Sequence, residues 1–157
     1  MNLCEKLFEK FSKKVTIAQN GYRIYSKDEK QRYYYYKELS EKTGGKKVTV
    51  IMINPSEKKE ENEKENNNLP DNTINNLYNI LKTKNTISTS DGKNYKISSF
   101  EVINLFSCIE STPNKVLKDD IVNGTNRQIL EYVIKEADII IPAWGIENKF
   151  NYNAKAL

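Results

Sequence analysis

The sequence predicts an α/β fold, a three-layer sandwich in which helices cover a central, mostly parallel sheet, with an N-terminal antiparallel strand pair and helix added. Three short runs rich in β-branched residues have the pattern of strands buried on both faces. Helical patterns separate these runs along the chain. Because neighbouring parallel strands need a crossover, usually a helix, this alternation predicts right-handed β-α-β units.

The composition limits the protein class. At 157 residues the chain has room for one core, so we expect a single domain over residues 1–157. Cys4 and Cys108 have no spacing typical of a metal motif or a disulfide framework, which favours a reduced, cytoplasmic protein. Histidine is absent, which excludes Ser-His and Cys-His nucleophile systems. No apolar run has the length of a membrane span, so we expect no membrane association.

The net charge of +4 is a weak indication of an anionic partner. Arginine occurs only at Arg23, Arg32 and Arg127, and lysine supplies the remaining positive charge. Nucleic acids are attracted by local basic patches and not by the net charge of the whole chain. The preferred interpretation is therefore that the positive net charge reflects a general lysine-rich composition and not a dedicated anion-binding surface.

The N-terminal segment predicts an amphipathic helix over residues 1–12, with Leu3, Cys4, Leu7, Phe8 and Phe11 on one side. This face either packs on the core or binds a partner, and we prefer the first interpretation. Residues 15–25 and 31–37 predict two strands around a polar turn. In the second strand, alternation predicts that two of the tyrosines 33–36 face solvent or a groove, where they could stack nucleobases beside the arginines.

The stretch from Val48 to Ser56, after a turn at residues 43–45, contains an apolar run that predicts the first buried strand, with Asn54 at its carboxyl end, because Asn54-Pro55-Ser56 cannot continue a strand. Ligands of open α/β sheets bind at the carboxyl ends of the strands, so Asn54 marks the predicted site. A second strand over residues 99–106 ends at Asn104, and a third over 137–143 ends at Trp144-Gly145. Residues 57–68 carry no apolar side chain and predict a flexible charged insertion, either neutral or a lid.

Two helices are predicted between these strands. Asp71 is placed to cap a helix with Ile74, Leu77, Tyr78 and Leu81 on one face. Residues 88–92 predict a turn or hairpin tip. Thr125-Asn126 is placed to cap a second helix, whose apolar face carries residues 129, 130, 133 and 134.

Five short motifs in order resemble the DUF1643 family. They are Asn54-Pro55-Ser56, Asp71-Asn72-Thr73, Asn104-Leu105-Phe106, Asn126 and Trp144-Gly145, and Tyr22-Arg23 resembles the start of the family. The resemblance covers roughly residues 22–145. Members of the family usually continue into a further strand and a segment rich in Gly, Pro and His, so the resemblance implies either a shortened variant or a longer natural protein.

The order strand-NP, strand-N, strand-G is also similar in layout to the uracil-DNA glycosylase superfamily. This likeness implies that Asn54 orients a water molecule and that Asn104 or Ser107 contacts a base or phosphate. Late-loop residues of that superfamily hold the flipped base, so the short C-terminus argues against full catalysis.

The sequence therefore predicts a site that binds a nucleotide, nucleobase or nucleic acid, with N-glycosidic hydrolysis as its possible chemistry. In that reaction Asn54 would position water and Asp71 would accept a proton. A non-catalytic protein-interaction module is the alternative. No metal and no cofactor are predicted. The predicted ligand-binding residues are Arg23, Pro55, Ser56, Thr73, Asn104, Ser107, Asn126, Trp144 and Gly145.

Overall fold

The structure is a computed structural model that describes residues 3–17, 23–39, 44–55, 72–109 and 124–143. These residues form an α/β sandwich built on a single sheet. Its strands are β1 (Val15–Ile17), β2 (Arg23–Ser26), β3 (Arg32–Glu38), β4 (Lys46–Met52), β5 (Thr86–Ser88), β6 (Asn94–Asn104) and β7 (Ile139–Pro142). Its helices are α1 (Leu3–Phe11), α2 (Asn72–Lys84) and α3 (Gly124–Lys135).

The strands follow the order β1-β2-β3-β6-β4-β7, with β5 paired to β6. The three strands predicted as buried, β6, β4 and β7, are parallel to one another, with β4 in the middle. The prediction that β7 is buried is wrong: its residues alternate between half-buried and exposed, and Ile140 is 43% exposed, because β7 stands at the end of the strand order. β1, β2 and β3 are antiparallel, and β3 joins β6 in antiparallel pairing. The predicted fold class is confirmed, and the N-terminal antiparallel strands extend the same sheet.

Two apolar clusters cover opposite faces of this sheet and make the structure three-layered. On one face, Ile51 and Ile103 contact side chains of α1 and α3, including Leu7 and Ile129. On the other face, α2 contributes Ile74 and Leu81 to a cluster with the strand residues Val48, Val50, Phe100 and Val102. We call these the α1/α3 face and the α2 face. Neighbouring strand residues alternate between them, which is why the buried strands are apolar at nearly every position.

Helix α1 packs on the sheet, as preferred from its sequence. Cys4, Leu7 and Phe11 recur at helical spacing and are buried in the α1/α3-face cluster. The apolar face of this helix is thus used inside the protein, which argues against the alternative that it binds a partner.

The prediction of one strand over residues 15–25 is wrong. β1 and β2 pair with each other antiparallel, with Val15 opposite Ser26, so the chain reverses direction between them. Helix α3 begins at Gly124, so Asn126 lies in its first turn, and the predicted cap position is also wrong.

The prediction that two tyrosines of residues 33–36 face solvent or a groove is also wrong. Tyr33, Tyr34 and Tyr35 are buried and Tyr36 is half-buried. Helices cover both faces of the sheet here, and a β-bulge places both Tyr33 and Tyr34 in the cluster of the α1/α3 face. Buried tyrosines of this kind do not form an exposed stacking surface.

The hairpin tip predicted at residues 88–92 is confirmed. β5 and β6 are antiparallel neighbours, and the chain reverses at Gly92, whose φ of 79° favours glycine. β6 starts at Asn94, earlier than predicted, because its polar first half pairs with β5. The turn into β4 contains Gly44, with φ of 105°, and Gly45, where a Cβ atom would lie 2.7 Å from the backbone nitrogen of Ser98. No helix in the described ranges is long and apolar enough to cross a membrane.

Candidate functional site at the carboxyl ends of the parallel strands

The carboxyl ends of β4, β6 and β7 meet at one edge of the sheet, which we call the carboxyl edge. Backbone hydrogen bonds continue the parallel pairing just past the strands: Leu105 N donates to Met52 O over 2.9 Å, and Phe106 N donates to Ile53 O over 2.8 Å. On the other side of β4, Ala143 N donates to Ile51 O over 2.7 Å. The chain therefore leaves the central strands in fixed, adjoining segments.

Asn104 is the last residue of β6 and is only 1% exposed. It pairs with Met52 and, by alternation, shares the α2 face with Phe100 and Val102. Its side-chain nitrogen and oxygen are both buried, and neither has a hydrogen-bond partner among the described residues. A buried, unsatisfied polar group costs about 1–3 kcal/mol. Asn104 therefore offers one donor group and one acceptor group inside the carboxyl edge.

Asn126 fastens helix α3 to the end of β6. Its Nδ2 donates to the backbone oxygens of Asn104 and Leu105, each over 3.1 Å, and its side chain is buried. These two carbonyl groups lie at the end of β6, where the regular pairing of the strands stops, and the Asn126 side chain supplies their hydrogen-bond donor. The structure thus places Asn126 directly beside Asn104, where its amide nitrogen supports the strand end.

Asn54 and Pro55 follow β4 at the same edge. Asn54 is half-buried, and its Nδ2 donates to the oxygen of Pro55 over 3.3 Å, so its amide lies against its own turn. Pro55 is buried. Thr73 lies in the first turn of α2 and is exposed. The predicted site residues Ser56, Asp71, Trp144 and Gly145 lie outside the described residues.

The β2–β3 hairpin closes one side of the carboxyl edge. The backbone nitrogen of Arg32 donates to Ser107 O over 2.8 Å, and Ile109 N donates to Lys30 O over 3.0 Å. Ser107, predicted to bind ligand, is fully buried, and its hydroxyl donates to Gln31 Oε1 over 2.6 Å. This hydroxyl therefore joins the segment that follows β6 to the turn of the β2–β3 hairpin.

Two arginines lie buried near this edge. Arg23, predicted from the sequence, is 9% exposed, and its guanidinium carbon lies 5.8 Å from the ring centre of Tyr35 on the α2 face. Arg32, which the sequence analysis linked only to base stacking, is 3% exposed. Its position at the edge depends on pairing with residues 75 positions later, so local sequence patterns gave no sign of it.

A second buried polar group lies deeper, on the α1/α3 face. Glu101, in the middle of β6, is fully buried and accepts hydrogen bonds from the Tyr34 hydroxyl, over 2.7 Å, and from the Thr49 hydroxyl, over 2.5 Å. Lys47 Nζ lies 3.1 Å from the Glu101 carboxylate. This cluster links β3, β4 and β6. No sequence motif predicted this cluster, although a glutamate inside an apolar strand is itself a signal, since a buried charge requires partners.

Burial and the neighbouring Glu101 carboxylate raise the pKa of Tyr34 well above its ordinary value, because both disfavour a phenolate. Burial, with a smaller contribution from Glu5, raises the pKa of the Cys4 thiol from 9.0 to about 12. Cys4 therefore stays a neutral thiol near neutral pH and is a poor nucleophile. Near neutral pH, the Tyr34 hydroxyl and the Cys4 thiol are therefore neutral parts of the buried core.

Taken together, the described residues place Arg23, Asn54, Pro55, Asn104, Ser107 and Asn126 in strand ends and connections around one side of the sheet. Amide and guanidinium groups of this kind bind polar, planar or anionic molecules. No group of three or more His, Cys, Asp or Glu side chains arranged to hold a metal ion occurs in the described part of the chain.

Residues 32–157 match the family model DUF1643, which is described as a protein of unknown function. Comparison with curated proteins and with solved structures gives no match.

Proposed function

We propose, for a chain that belongs to the DUF1643 family, that it binds a nucleotide or nucleobase at the carboxyl edge of its parallel strands. The observation that supports this most directly is Asn104, whose buried carboxamide has no hydrogen-bond partner among the described residues. A ligand that supplies both a donor and an acceptor would remove the cost of leaving this amide unsatisfied.

A nucleobase fits this requirement in its chemistry. Base edges present hydrogen-bond donors and acceptors side by side, and asparagine pairs with such edges through both atoms of its amide. Proteins that take up an unstacked base read it by hydrogen bonds to its edge, with apolar surface against its face. In this chain the apolar neighbour of Asn104 is Met52, its partner in β4. The same site could hold a free nucleotide or a base within nucleic acid.

Hydrolysis of an N-glycosidic bond is the reaction proposed for this site. Asn54 would position the attacking water and Asp71 would accept its proton, as the likeness to uracil-DNA glycosylases implies. The position of Asn54 at the end of the strand beside β6 supports this assignment. Release of free base from a uracil-containing oligonucleotide is its direct readout.

Titration calorimetry with nucleobases, ribonucleosides and their 5′-monophosphates tests the binding proposal. Fluorescence anisotropy extends it to single- and double-stranded oligonucleotides, with and without uracil, at low and high salt. We expect Asn104→Leu to abolish binding, whereas Asn76→Ala, an exposed amide on α2, keeps it. In the ligand-free protein, Asn104→Leu should also raise the free energy of unfolding by about 1 kcal/mol, because it removes an unsatisfied buried amide.

Two results would contradict the proposal. Binding that ignores the base and disappears steeply with salt would mean that lysines attract phosphate without a specific site. A loss of more than about 2 kcal/mol of stability in Asn104→Leu would mean that the amide already has partners inside the protein. Chemical denaturation in urea, with Asn76→Ala alongside, measures the second quantity.

A further inference from the structure

We infer that Lys37, Tyr78 and Lys82, which we call the lysine surface, bind the phosphate backbone of a single-stranded nucleic acid. This inference rests on the proposed function, and it selects a base within a strand over a free nucleotide as the ligand at Asn104. Three features carry it: the contact of both lysines with one ring, their lack of ion pairs within the described residues, and the position of the surface on the face that carries Asn104.

Both ammonium groups of the lysine surface contact the same aromatic ring. Lys37 Nζ lies 5.8 Å and Lys82 Nζ lies 5.2 Å from the ring centre of Tyr78. Lys82 follows Tyr78 by about one helical turn on α2. Lys37 comes from β3, between Tyr35 and Leu39 of the α2-face cluster. Attraction to the ring therefore holds together two positive charges from elements that are distant in sequence.

These ammonium groups can still bind an anion. Neither forms an ion pair with a carboxylate in the described part of the chain, whereas Lys46, Lys47 and Lys93 each do. Lys82 is exposed and Lys37 is half-buried. An ammonium group has three N–H donors, and contact with a ring face does not satisfy all of them. The lysine surface thus presents hydrogen-bond donors and two positive charges to solvent.

The rest of α2 also favours a nucleic acid as the anion. The helix contains no aspartate or glutamate between Asn72 and Lys84. Asn75 and Asn79 lie on the same side as Lys82, and Asn79 Nδ2 donates to Asn75 Oδ1 over 3.4 Å. Asparagine and lysine side chains both donate to phosphate and sugar oxygens. A membrane-binding helix instead needs a row of exposed apolar side chains, and Ile80 is the one large apolar side chain of α2 that is exposed.

The lysine surface shares the α2 face with the proposed base site. Lys37 is paired with Phe100, which precedes Asn104 by four residues, or about 13 Å along β6. The carboxyl end of α2 lies beside the earlier part of β6, since Ile97 N donates to Asn85 O over 2.9 Å. Stacked nucleotides of one strand are only about 3.4 Å apart along its axis. Phosphates at the lysine surface would therefore belong to nucleotides beyond the one whose base is at Asn104.

Fluorescence anisotropy with single-stranded oligonucleotides of about eight nucleotides, at several salt concentrations, tests the lysine surface. We expect Lys37→Gln combined with Lys82→Gln to weaken binding at low salt about 10-fold or more. The slope of log affinity against log salt should fall by about 1.4, which is about 0.7 for each lost phosphate contact. Binding of a mononucleotide, measured by calorimetry, should be unchanged. Lys37→Arg combined with Lys82→Arg should keep the slope, because the charge is retained.

A matched control removes the same charge from the other side of the sheet. Lys13→Gln combined with Lys14→Gln serves this purpose, since both lysines are exposed just after α1, which packs on the α1/α3 face. We expect this variant to bind oligonucleotides with the wild-type salt slope. If the Lys37 and Lys82 double variant does not fold, Lys82→Gln alone decides, because Lys82 is exposed on α2.

The outcomes separate this inference from the proposed function. An unchanged affinity and salt slope in the Lys37→Gln and Lys82→Gln double variant, or an equal loss of mononucleotide binding, would overturn the lysine surface and leave the base site standing. Lysine-dependent binding of oligonucleotides that Asn104→Leu does not weaken would support the lysine surface and overturn the base site. Lysine-dependent binding to phosphatidylserine vesicles, without binding of oligonucleotides, would overturn the nucleic-acid partner in favour of a membrane.

Discussion

Asn104 and Glu101 lie three residues apart on β6 and show two outcomes of burying a polar side chain. Glu101 faces the α1/α3 side and is surrounded by the donors of Tyr34, Thr49 and Lys47. Asn104 faces the α2 side at the strand end and has no such partners among the described residues. A satisfied cluster in the middle of the sheet serves stability, whereas an unsatisfied amide at the carboxyl edge supports the proposed binding site.

At the same scale, Asn54→Ala tests the proposed hydrolysis. If Asn54 orients the attacking water, we expect release of uracil from a uracil-containing oligonucleotide to fall at least about 100-fold, as for other residues that assist proton transfer or position water. Binding of the oligonucleotide should change little. Unchanged base release by a variant with a native circular dichroism spectrum would show that Asn54 serves only its own turn, where its amide contacts Pro55.

At the level of elements, the site depends on how α3 is attached to β6. The Asn126 amide nitrogen donates to the carbonyls of Asn104 and Leu105, so this side chain joins the first turn of a helix to the end of β6. The β2–β3 hairpin is attached to the opposite side of the same strand end through Ser107. The candidate site is therefore framed by two elements that are distant in sequence from β6.

Asn126→Ala should loosen this attachment. We expect it to lower the free energy of unfolding by about 1–3 kcal/mol, because two buried carbonyls lose their donor. Ligand binding at Asn104 should weaken as well. Urea denaturation measures the first effect, with Asn79→Ala as the control, since its exposed amide bond to Asn75 should be worth less than about 0.5 kcal/mol. Equal stabilities of the two variants would exclude the attachment role.

At the level of the whole molecule, the core contains groups that must stay neutral. The pKa of Cys4 is raised to about 12 and that of Tyr34 is raised well above 10.0. Both groups keep their protons in the folded chain at a pH at which the unfolded chain releases them. Their contribution to stability is thus complete below about pH 9 and is lost as the pH rises toward their folded-state values.

We therefore expect the free energy of unfolding to fall above about pH 9, with a slope of up to about 1.4 kcal/mol per pH unit for each of these groups. Tyr34→Phe removes one ionisable group and should make the decline above about pH 10 less steep than in the wild-type protein. Urea denaturation between neutral and alkaline pH measures both slopes. Identical slopes in the two proteins would show that Tyr34 does not ionise on unfolding.

The layers of the fold and the candidate edge of the sheet could be predicted from the sequence. The apolar runs around Val50, Val102 and Ile141 predicted three parallel strands, because strands covered on both faces lack polar alternation. Two of them, β4 and β6, are buried, whereas β7 at the end of the strand order is partly exposed. Asn54 and Asn104, at the ends of two of them, identified the carboxyl edge. These features follow from local patterns and from general rules of chain connection, and both can be read without long-range contacts.

Which buried polar side chains have hydrogen-bond partners could be learned only from the folded structure. The partners of Glu101 come from β3 and β4. The bulge that places Tyr33 and Tyr34 in one cluster depends on pairing with β2, and the burial of these tyrosines depends on helices on both faces. Each of these features rests on contacts between residues far apart in the chain. Hydrogen bonding and burial are properties of neighbours in space, so a pattern along the sequence predicts where a strand ends but not what meets it there.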